Sequence, residues 1–106
     1  LEISMSQPEK LTIHQKKYLR GISHGLNPII IIGANGVTES LMIELESTLS
    51  HHEILKIKMA AAERDDRKAI VAHVVAQTGA LLVQTIGKIF VIYRQNEDTE
   101  LPLPKK

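Results

Sequence analysis

Hydrophobic positions along the chain change their spacing several times, and each spacing predicts one element. A helical period over residues 11–24 places Leu11, Leu19 and Ile22 on one face. Similar helical patterns and shorter extended patterns follow, the helices at about 38–50 and 65–78 and the strands at 29–32, 54–59, 81–86 and 89–94. The predicted order of elements is therefore αβαβαββ.

Two of the predicted strands differ in their patterning. Residues 29–32 are four consecutive isoleucines, and a run of β-branched residues is typical of a strand that is buried on both faces. Residues 54–59 instead alternate, with apolar residues at the odd positions and Lys56 and Lys58 between them. We therefore expect this strand to be half-exposed, with a positive outer face.

The connections predict how the strands pair. Gly87-Lys88 is typical of a two-residue hairpin, which makes the last two strands antiparallel. Right-handed crossovers through the second and third helices give parallel strand pairs. With the helices on one main face of the sheet, the predicted fold is α/β: a two-layer αβαβαββ sandwich with a four-stranded mixed sheet.

Length and composition bound the domain organisation. We expect one domain over residues 10–95, a disordered N-terminus or cloning remnant at 1–9, and a flexible polar tail at 96–106. Cysteine is absent, which excludes disulfides and thiolate chemistry and fits a reducing cytoplasm. No apolar run approaches the roughly 20 residues that span a bilayer, so a membrane partner is not expected.

A loop with two glycines joins the isoleucine strand to the second helix. Its residues are Gly33, Ala34, Asn35 and Gly36, and Thr38 can cap the helix that follows. Backbone N–H groups at such a loop are open to a phosphate. Two glycines at this spacing also occur in tight turns that need a positive φ, which is the structural alternative. The loop lacks the lysine of a P-loop and the third glycine of a dinucleotide-binding motif.

The charge around the loop favours the phosphate interpretation. The net charge is only +1, yet residues 10–38 contain no acidic residue and place Lys16, Lys17 and Arg20 on one face of the first helix. Lys56 and Lys58 add to this positive set, and nucleic acid is its natural polyanionic partner. Five further cations stay undecided from sequence: Arg64, Arg67, Lys68, Lys88 and Arg94.

Other side chains narrow the chemistry. Aromatic residues are only 3% of the chain, too few for a base-stacking platform, which favours backbone and shape recognition of structured RNA. His51 and His52 are neighbours and cannot share a metal as an i, i+4 pair would. The acidic residues within 63–66 indicate a capped helix start with local ion pairs. We expect no catalytic residues, no metal and no cofactor.

A family resemblance rests on three segments, which together are a much more specific signal than the loop alone. They are LTIHQKKYLRGISHGLNPIIIIGANGVTESL, HHEILKIKM and TGALLVQTIGKIFVIYR. Over about residues 11–94 the chain resembles the CRM domain family (chloroplast RNA splicing and ribosome maturation), in particular its stand-alone bacterial YhbY-like members. The resemblance implies a fold similar to the C-terminal domain of bacterial translation initiation factor three, with sheet order 1-2-4-3. It also implies RNA binding without catalysis, on large-subunit precursors in bacteria and group II introns in plants.

The family's G-x-x-G loop falls on 33–36 and its basic first helix on Lys16, Lys17 and Arg20. The leading hypothesis is a monomeric cytoplasmic protein that binds structured ribosomal RNA in precursors of the large ribosomal subunit. The predicted RNA-binding residues are Lys16, Lys17, Arg20, Gly33, Ala34, Asn35, Gly36, Lys56 and Lys58. One alternative is a protein–protein module that docks through the hairpin 81–94 or the tail. Another, disfavoured because no base or metal site accompanies the loop, is an enzyme acting on a phosphorylated ligand.

Overall fold

A computed structural model describes residues 11–60 and 63–95; the predicted segments 1–9 and 96–106 lie outside these residues. The helices are α1 (Ile13–Ser23), α2 (Glu39–His52) and α3 (Arg64–Thr78). The strands are β1 (Ile30–Ile32), β2 (Ile54–Met59), β3 (Leu81–Ile86) and β4 (Ile89–Tyr93). The predicted αβαβαββ order is confirmed, and each boundary lies within two residues of its predicted position.

The four strands form one mixed sheet in the order β1-β2-β4-β3. β1 and β2 are parallel, with Ile30 opposite Ile57, and β4 is antiparallel to both of its neighbours. The α/β class, the mixed sheet and the strand order are thus confirmed. β3 runs in the same direction as β2, but β4 lies between them, so the second crossover does not create an adjacent parallel pair.

The helices occupy both faces of the sheet, which corrects the expectation that they would share one main face. α2 and α3 pack through Leu45, Leu49 and Val74 against one side, here called the α2/α3 face. α1 packs on the opposite side, the α1 face, over the apolar cluster Leu11, Leu19, Ile54, Val83, Val91 and Tyr93. Because successive side chains of β4 alternate between faces and are nearly all apolar, both faces need a cover.

The isoleucine run is only half-buried, so the prediction of burial on both faces was wrong. Ile30 and Ile32 are 2% and 1% exposed and belong to the core under α2 and α3. Ile29 and Ile31 are 51% and 59% exposed. They point to the α1 face, where the cluster under α1 includes side chains from β2, β3 and β4 but none from β1. This edge strand is therefore open on that face.

Candidate nucleic-acid interface

The segment Gly33–Gly36 is a surface turn. The Gly36 N–H donates to the Gly33 carbonyl oxygen at 3.0 Å, and Gly36 has φ of +70°, a conformation that favours glycine. Gly33, Ala34 and Asn35 are exposed. Among the described residues, nothing accepts a hydrogen bond from the N–H groups of Ala34 and Asn35. The Gly36 N–H is therefore occupied by the hydrogen bond that closes the turn, whereas the N–H groups of Ala34 and Asn35 at its tip are open to solvent.

The helix that follows the turn starts as predicted. The Thr38 hydroxyl accepts a hydrogen bond from the Leu41 N–H at 3.1 Å, an N-cap that satisfies one of the open donors of α2. Glu39 lies in the first turn, where its carboxylate complements the positive end of the helix dipole. This charge disfavours a phosphate on the helix end itself. The turn amides before Thr38 are the better anion donors.

Two lysines lie at the same end of the sheet as the turn. The Ile32 carbonyl, just before Gly33, accepts from the Ala60 N–H at 2.9 Å. The Lys88 ammonium in turn donates to the Ala60 carbonyl at 3.3 Å. Lys58, two residues before Ala60, is exposed, and its ammonium group has no hydrogen-bond or ion-pair partner in the described part of the chain. Lys88, undecided from sequence, thus belongs with Lys58 beside the turn.

Lys56 has a different environment from Lys58. It is half-buried, and its ammonium donates to the carbonyl oxygens of Ser23 and Leu26, both at 3.2 Å. These carbonyls lie at and just beyond the C-terminal end of α1, where a cation is favoured. Lys56 therefore anchors α1 to the sheet. A direct contact of Lys56 with RNA remains a prediction.

The basic residues of α1 are held in place at both helix ends. At the N-terminus, Thr12 and Gln15 form a capping box: the Thr12 hydroxyl accepts from the Gln15 N–H at 3.1 Å, and the Gln15 side chain accepts from the Thr12 N–H at 2.9 Å. Lys56 binds the other end. An 11-residue helix is marginal in isolation, so these contacts matter. The T-x-x-Q spacing is the sequence signal that could have predicted this cap.

Lys16, Lys17 and Arg20 are exposed on α1 and lie on the same side of the sheet as Lys58. The end of α1 lies next to Lys56, whose carbonyl accepts from the Ile29 N–H at 3.1 Å. Gly33 is four residues after Ile29 along an extended chain, so the distance between these two residues is about 13 Å. This separation equals the length of about four stacked nucleotides at a rise of about 3.4 Å each.

The remaining undecided cations lie elsewhere. The Arg94 guanidinium contacts both carboxylate oxygens of Glu46, at 2.9 and 2.6 Å, and donates to the Thr78 carbonyl at 2.9 Å. Arg64, Arg67 and Lys68 line a groove of about 750 Å³ between α3 and β3, on the α2/α3 face. Neither set joins Lys58 on the α1 face.

Other predicted chemistry can be checked over residues 11–60 and 63–95. α3 begins at Arg64 with Asp65 and Asp66 in its first turn, so the predicted helix start is confirmed. The predicted cap and ion pairs were wrong, since Glu63 makes no side-chain capping bond and no described ion pair links residues 63–66 to Arg64 or Arg67. The His51 ring contacts the Ser47 carbonyl at 2.8 Å. No group of three or more His, Asp or Glu in this part could hold a metal, and no helix there is long and apolar enough to cross a membrane.

Comparison with known proteins identifies the family of this chain and agrees with its fold. The family model for the CRS1 / YhbY (CRM) domain matches residues 11–94. An RNA-binding protein of Haemophilus influenzae is 44% identical over 96 residues, which is 91% of this chain and 97% of that protein. A probable RNA-binding protein of Pseudomonas aeruginosa is 46% identical over 96 residues, covering 91% and 88% of the two chains.

A solved structure shows the same fold. The solution structure of a hypothetical Staphylococcus aureus protein, described as a candidate RNA-binding protein, aligns with a TM-score of 0.76 at 37% identity. The alignment covers 89% of this chain and 99% of that one. With the family match extending over all seven elements, the chain belongs to the CRS1/YhbY (CRM) domain family.

Proposed function

We propose that this protein binds RNA through the α1 face of its sheet. The contact surface consists of the Gly33–Gly36 turn and the basic set, defined as Lys16, Lys17, Arg20, Lys58 and Lys88. The observation that carries the proposal is the exposed turn with open amides at Ala34 and Asn35, beside lysines that face solvent. Relatives with 44% and 46% identity are named for RNA binding, which supports the same assignment here.

The electrostatics of the sheet support this proposal. The four strands contain no acidic residue, and Lys56 and Lys58 are their only charged residues. Both lie on the α1 face, because the odd-numbered residues of β2 belong to the core under α2 and α3. The strand residues of this face thus carry positive charge alone, and such a surface attracts a polyanion, which releases its counterions on binding.

We further propose that the protein acts by binding, without catalysis or a cofactor. The exposed side chains beside the turn on the α1 face are Ile31 and Lys58, which provide attachment. Glu39 lies after the turn in the first turn of α2, where its carboxylate complements the helix dipole. These side chains do not form the acid–base pair that catalysis needs. Following the family resemblance, its target is structured ribosomal RNA in precursors of the large ribosomal subunit. It would act there as a monomer during assembly, in the cytoplasm where these particles form.

A matched pair of charge variants tests RNA binding. Lys16, Lys17 and Arg20 are changed to Gln together, and the control changes Arg64, Arg67 and Lys68 to Gln. Affinity for a large-subunit RNA transcript is measured by filter binding from about 50 to about 300 mM salt, a range over which electrostatic screening changes strongly. We expect the first variant to lower the log–log salt slope by roughly 2 to 3, and the control to leave it unchanged.

Two results would contradict the proposal. A slope near zero for the natural protein would exclude contacts with several phosphates. Equal losses in the two variants would show that net charge alone, rather than the α1 face, governs binding. A small-subunit transcript measured in parallel tests the proposed target, because equal affinity for both RNAs would remove the preference for the large subunit.

The alternative of a protein–protein module has less support from the hairpin. Most of its apolar side chains are buried in the domain itself, namely Val83, Phe90, Val91, Ile92 and Tyr93. Ile86 is the exposed exception at 62%. Nuclease treatment of a particle that carries the protein separates the two functions, since a protein contact survives the loss of RNA.

A further inference from the structure

An uninterrupted row of side chains crosses all four strands next to the turn. Strand register places Ile31 opposite Lys58, Lys58 opposite Ile89, and Ile89 opposite Ile86. Since directly paired residues point to the same side of a sheet, all four side chains lie on the α1 face. We call Ile31, Ile86 and Ile89 the isoleucine row, with Lys58 at its centre.

The isoleucine row is open to solvent. Ile31 and Ile86 are 59% and 62% exposed, and Ile89 is half-buried. α1 does not cover them, because its last residue, Ser23, contacts Lys56 and Gln84. Each of these two residues lies two positions before the member of the row, Lys58 or Ile86, on its own strand. A large apolar side chain that faces water forgoes favourable burial. A group of them on one side, joined by Ile29 at 51%, indicates a contact surface.

Charge restricts what can cover this row. Lys58 stands in its middle without a partner among the described residues, and no strand contributes a carboxylate. A second copy of the chain would bring Lys58 near its own counterpart, which costs electrostatic energy. An RNA strand combines the two features that the row needs, since its phosphates attract the ammonium and its base faces are apolar.

The position of the row next to the turn points to the same ligand. Ile31 is two residues before Gly33, a distance of about 7 Å along an extended chain. A phosphate held by the amides of Ala34 and Asn35 therefore has its own nucleotide, and the next one, within reach of Ile31 and Lys58. A base in a duplex is stacked inside the helix and cannot turn its face to the protein, whereas an unpaired base can.

We propose that unpaired nucleobases of the RNA strand held at the Gly33–Gly36 turn pack on the isoleucine row, with Lys58 bound to a phosphate between them. This inference rests on the proposed RNA binding and specifies its ligand as a single-stranded segment such as a loop or bulge. It modifies the expectation, drawn from the scarcity of aromatic residues, of backbone and shape recognition alone. Aliphatic side chains supply apolar contact without stacking, so base identity matters little.

Methyl NMR of isoleucine-labelled protein tests the contact directly. Three probes of equal length are titrated: a single-stranded oligoribonucleotide, the same strand with abasic sites, and its perfect duplex. We expect the single strand to shift the methyl signals of Ile31, Ile86 and Ile89 through the ring currents of its bases, while Ile43 on α2 stays unchanged. In a second sample labelled uniformly with 15N, the abasic strand should shift the amide signals of the turn, while in the isoleucine-labelled sample it should leave the methyl signals of the isoleucine row unshifted.

A double variant provides the affinity test. Ile31→Ala with Ile86→Ala should weaken binding of the single strand by about tenfold, and duplex binding by less than about twofold. The control is Ile43→Ala, which is 67% exposed on α2 on the other side of the sheet and should have no effect. Because all three positions are exposed, the double variant and the control should unfold at the same urea concentration as the natural protein.

The outcomes separate this inference from the proposed function. If none of the charged RNA probes binds the natural protein, the RNA-binding proposal fails. If RNA binds with a steep salt dependence but the row's methyl signals do not move, only the base contact is overturned. The same holds if the Ile31/Ile86 variant binds every probe normally yet loses a nuclease-resistant attachment to a particle, since the row would then contact protein.

Discussion

The ammonium group of Lys56 lies 3.2 Å from the carbonyl oxygen of Ser23, the last residue of α1. This hydrogen bond, with a second one to Leu26, ties strand β2 to the end of the basic helix. Lys58 projects from the same face two residues later and points to solvent. Two lysines with the same place in the sequence pattern therefore have different roles, one structural and one available to a ligand.

Replacing each lysine by Met should separate these roles. Lys56→Met removes two charge-assisted hydrogen bonds in a half-buried site and should lower the free energy of unfolding by about 1–2 kcal/mol. Lys58→Met removes an exposed charge and should change stability by less than about 0.5 kcal/mol. It should instead reduce the salt slope of RNA binding by about 0.7–0.9, the value for one phosphate.

Urea unfolding and salt-dependent fluorescence anisotropy measure the two effects. The pair also serves as its own control, because both variants lose one positive charge and gain the same side chain. If the two lost stability equally, the structural role of Lys56 would be refuted. If Lys58→Met kept the natural salt slope, Lys58 would not contact phosphate.

Sequence patterning predicted the face of the sheet on which these lysines lie, but not that one is hydrogen-bonded to α1 and the other is exposed to solvent. Alternation in β2 is a local property, so it correctly placed Lys56 and Lys58 opposite the core residues Leu55 and Ile57. Whether one of these lysines is occupied by a hydrogen bond within the protein depends on where α1 ends. That contact joins Lys56 to Ser23 across 33 residues of chain. The same tertiary information was missing for β1. Its residue types favoured a strand buried on both faces, but Ile31 is exposed because α1 ends before it covers β1.

The two glycines of the turn should respond differently to substitution. Gly36 has φ of +70°, so Gly36→Ala should cost about 1 kcal/mol of unfolding free energy, and Gly36→Asn less, because Asn tolerates this conformation better. Gly33 has no positive φ, and a Cβ added there would have no heavy atom within 4 Å. Gly33→Leu should leave stability nearly unchanged while its side chain blocks phosphate approach and weakens RNA binding.

Thermal unfolding followed by circular dichroism measures the first effect, and anisotropy with a labelled RNA measures the second. Gly33→Ala is the matched control, since it adds a small side chain at the same position and should reduce affinity less than Leu. Unchanged RNA affinity in Gly33→Leu would leave the turn with a structural role alone.

The ion pair between Arg94 and Glu46 predicts a loss of stability without a loss of RNA binding. Arg94 follows β4 and joins it to α2 through Glu46 and to the end of α3 through the Thr78 carbonyl. The two side chains are 23% and 44% exposed, so solvent screens the pair and its contribution is modest. Arg94→Ala should lower the free energy of unfolding by about 1 kcal/mol, less at high salt.

Lys68→Ala is the control, because it removes the same charge from an exposed position on α3 and should leave stability unchanged. Neither variant should alter affinity for RNA, since both residues lie away from the basic set. Reduced affinity in Arg94→Ala at full stability would place Arg94 in the binding surface after all. The sequence could not decide this, because Arg94 and Glu46 are 48 residues apart and only the fold brings them together.

Tyr93 predicts a specific loss of stability at alkaline pH. Its side chain is buried in the cluster under α1, and no described residue accepts a hydrogen bond from its hydroxyl. Burial, followed by the charge of Glu53 and by Tyr18, raises the pKa of Tyr93 from its ordinary 10.0 to about 12. Between these two values the unfolded chain releases the Tyr93 proton while the folded protein retains it, so the unfolded state binds fewer protons and stability falls as pH rises.

The expected loss is at most about 2–3 kcal/mol, accumulated between pH 10 and 12 and absent below pH 10. Tyr93→Phe isolates it, because Phe fills the same apolar site without an ionisable group. Near pH 8 this variant should be as stable as the natural protein or slightly more so, since it removes a buried hydroxyl that has no described acceptor.

Urea unfolding of both proteins at intervals from pH 8 to about 11.5 gives the difference in their free energies of unfolding. Losses common to both arise from other titrating groups and cancel in this difference. The difference should stay constant up to about pH 10 and then move steadily in favour of Tyr93→Phe. A constant difference over the whole range would mean that Tyr93 ionises equally in the folded and unfolded states. The hydroxyl would then have access to water, and the close packing of α1 over β4 would be wrong.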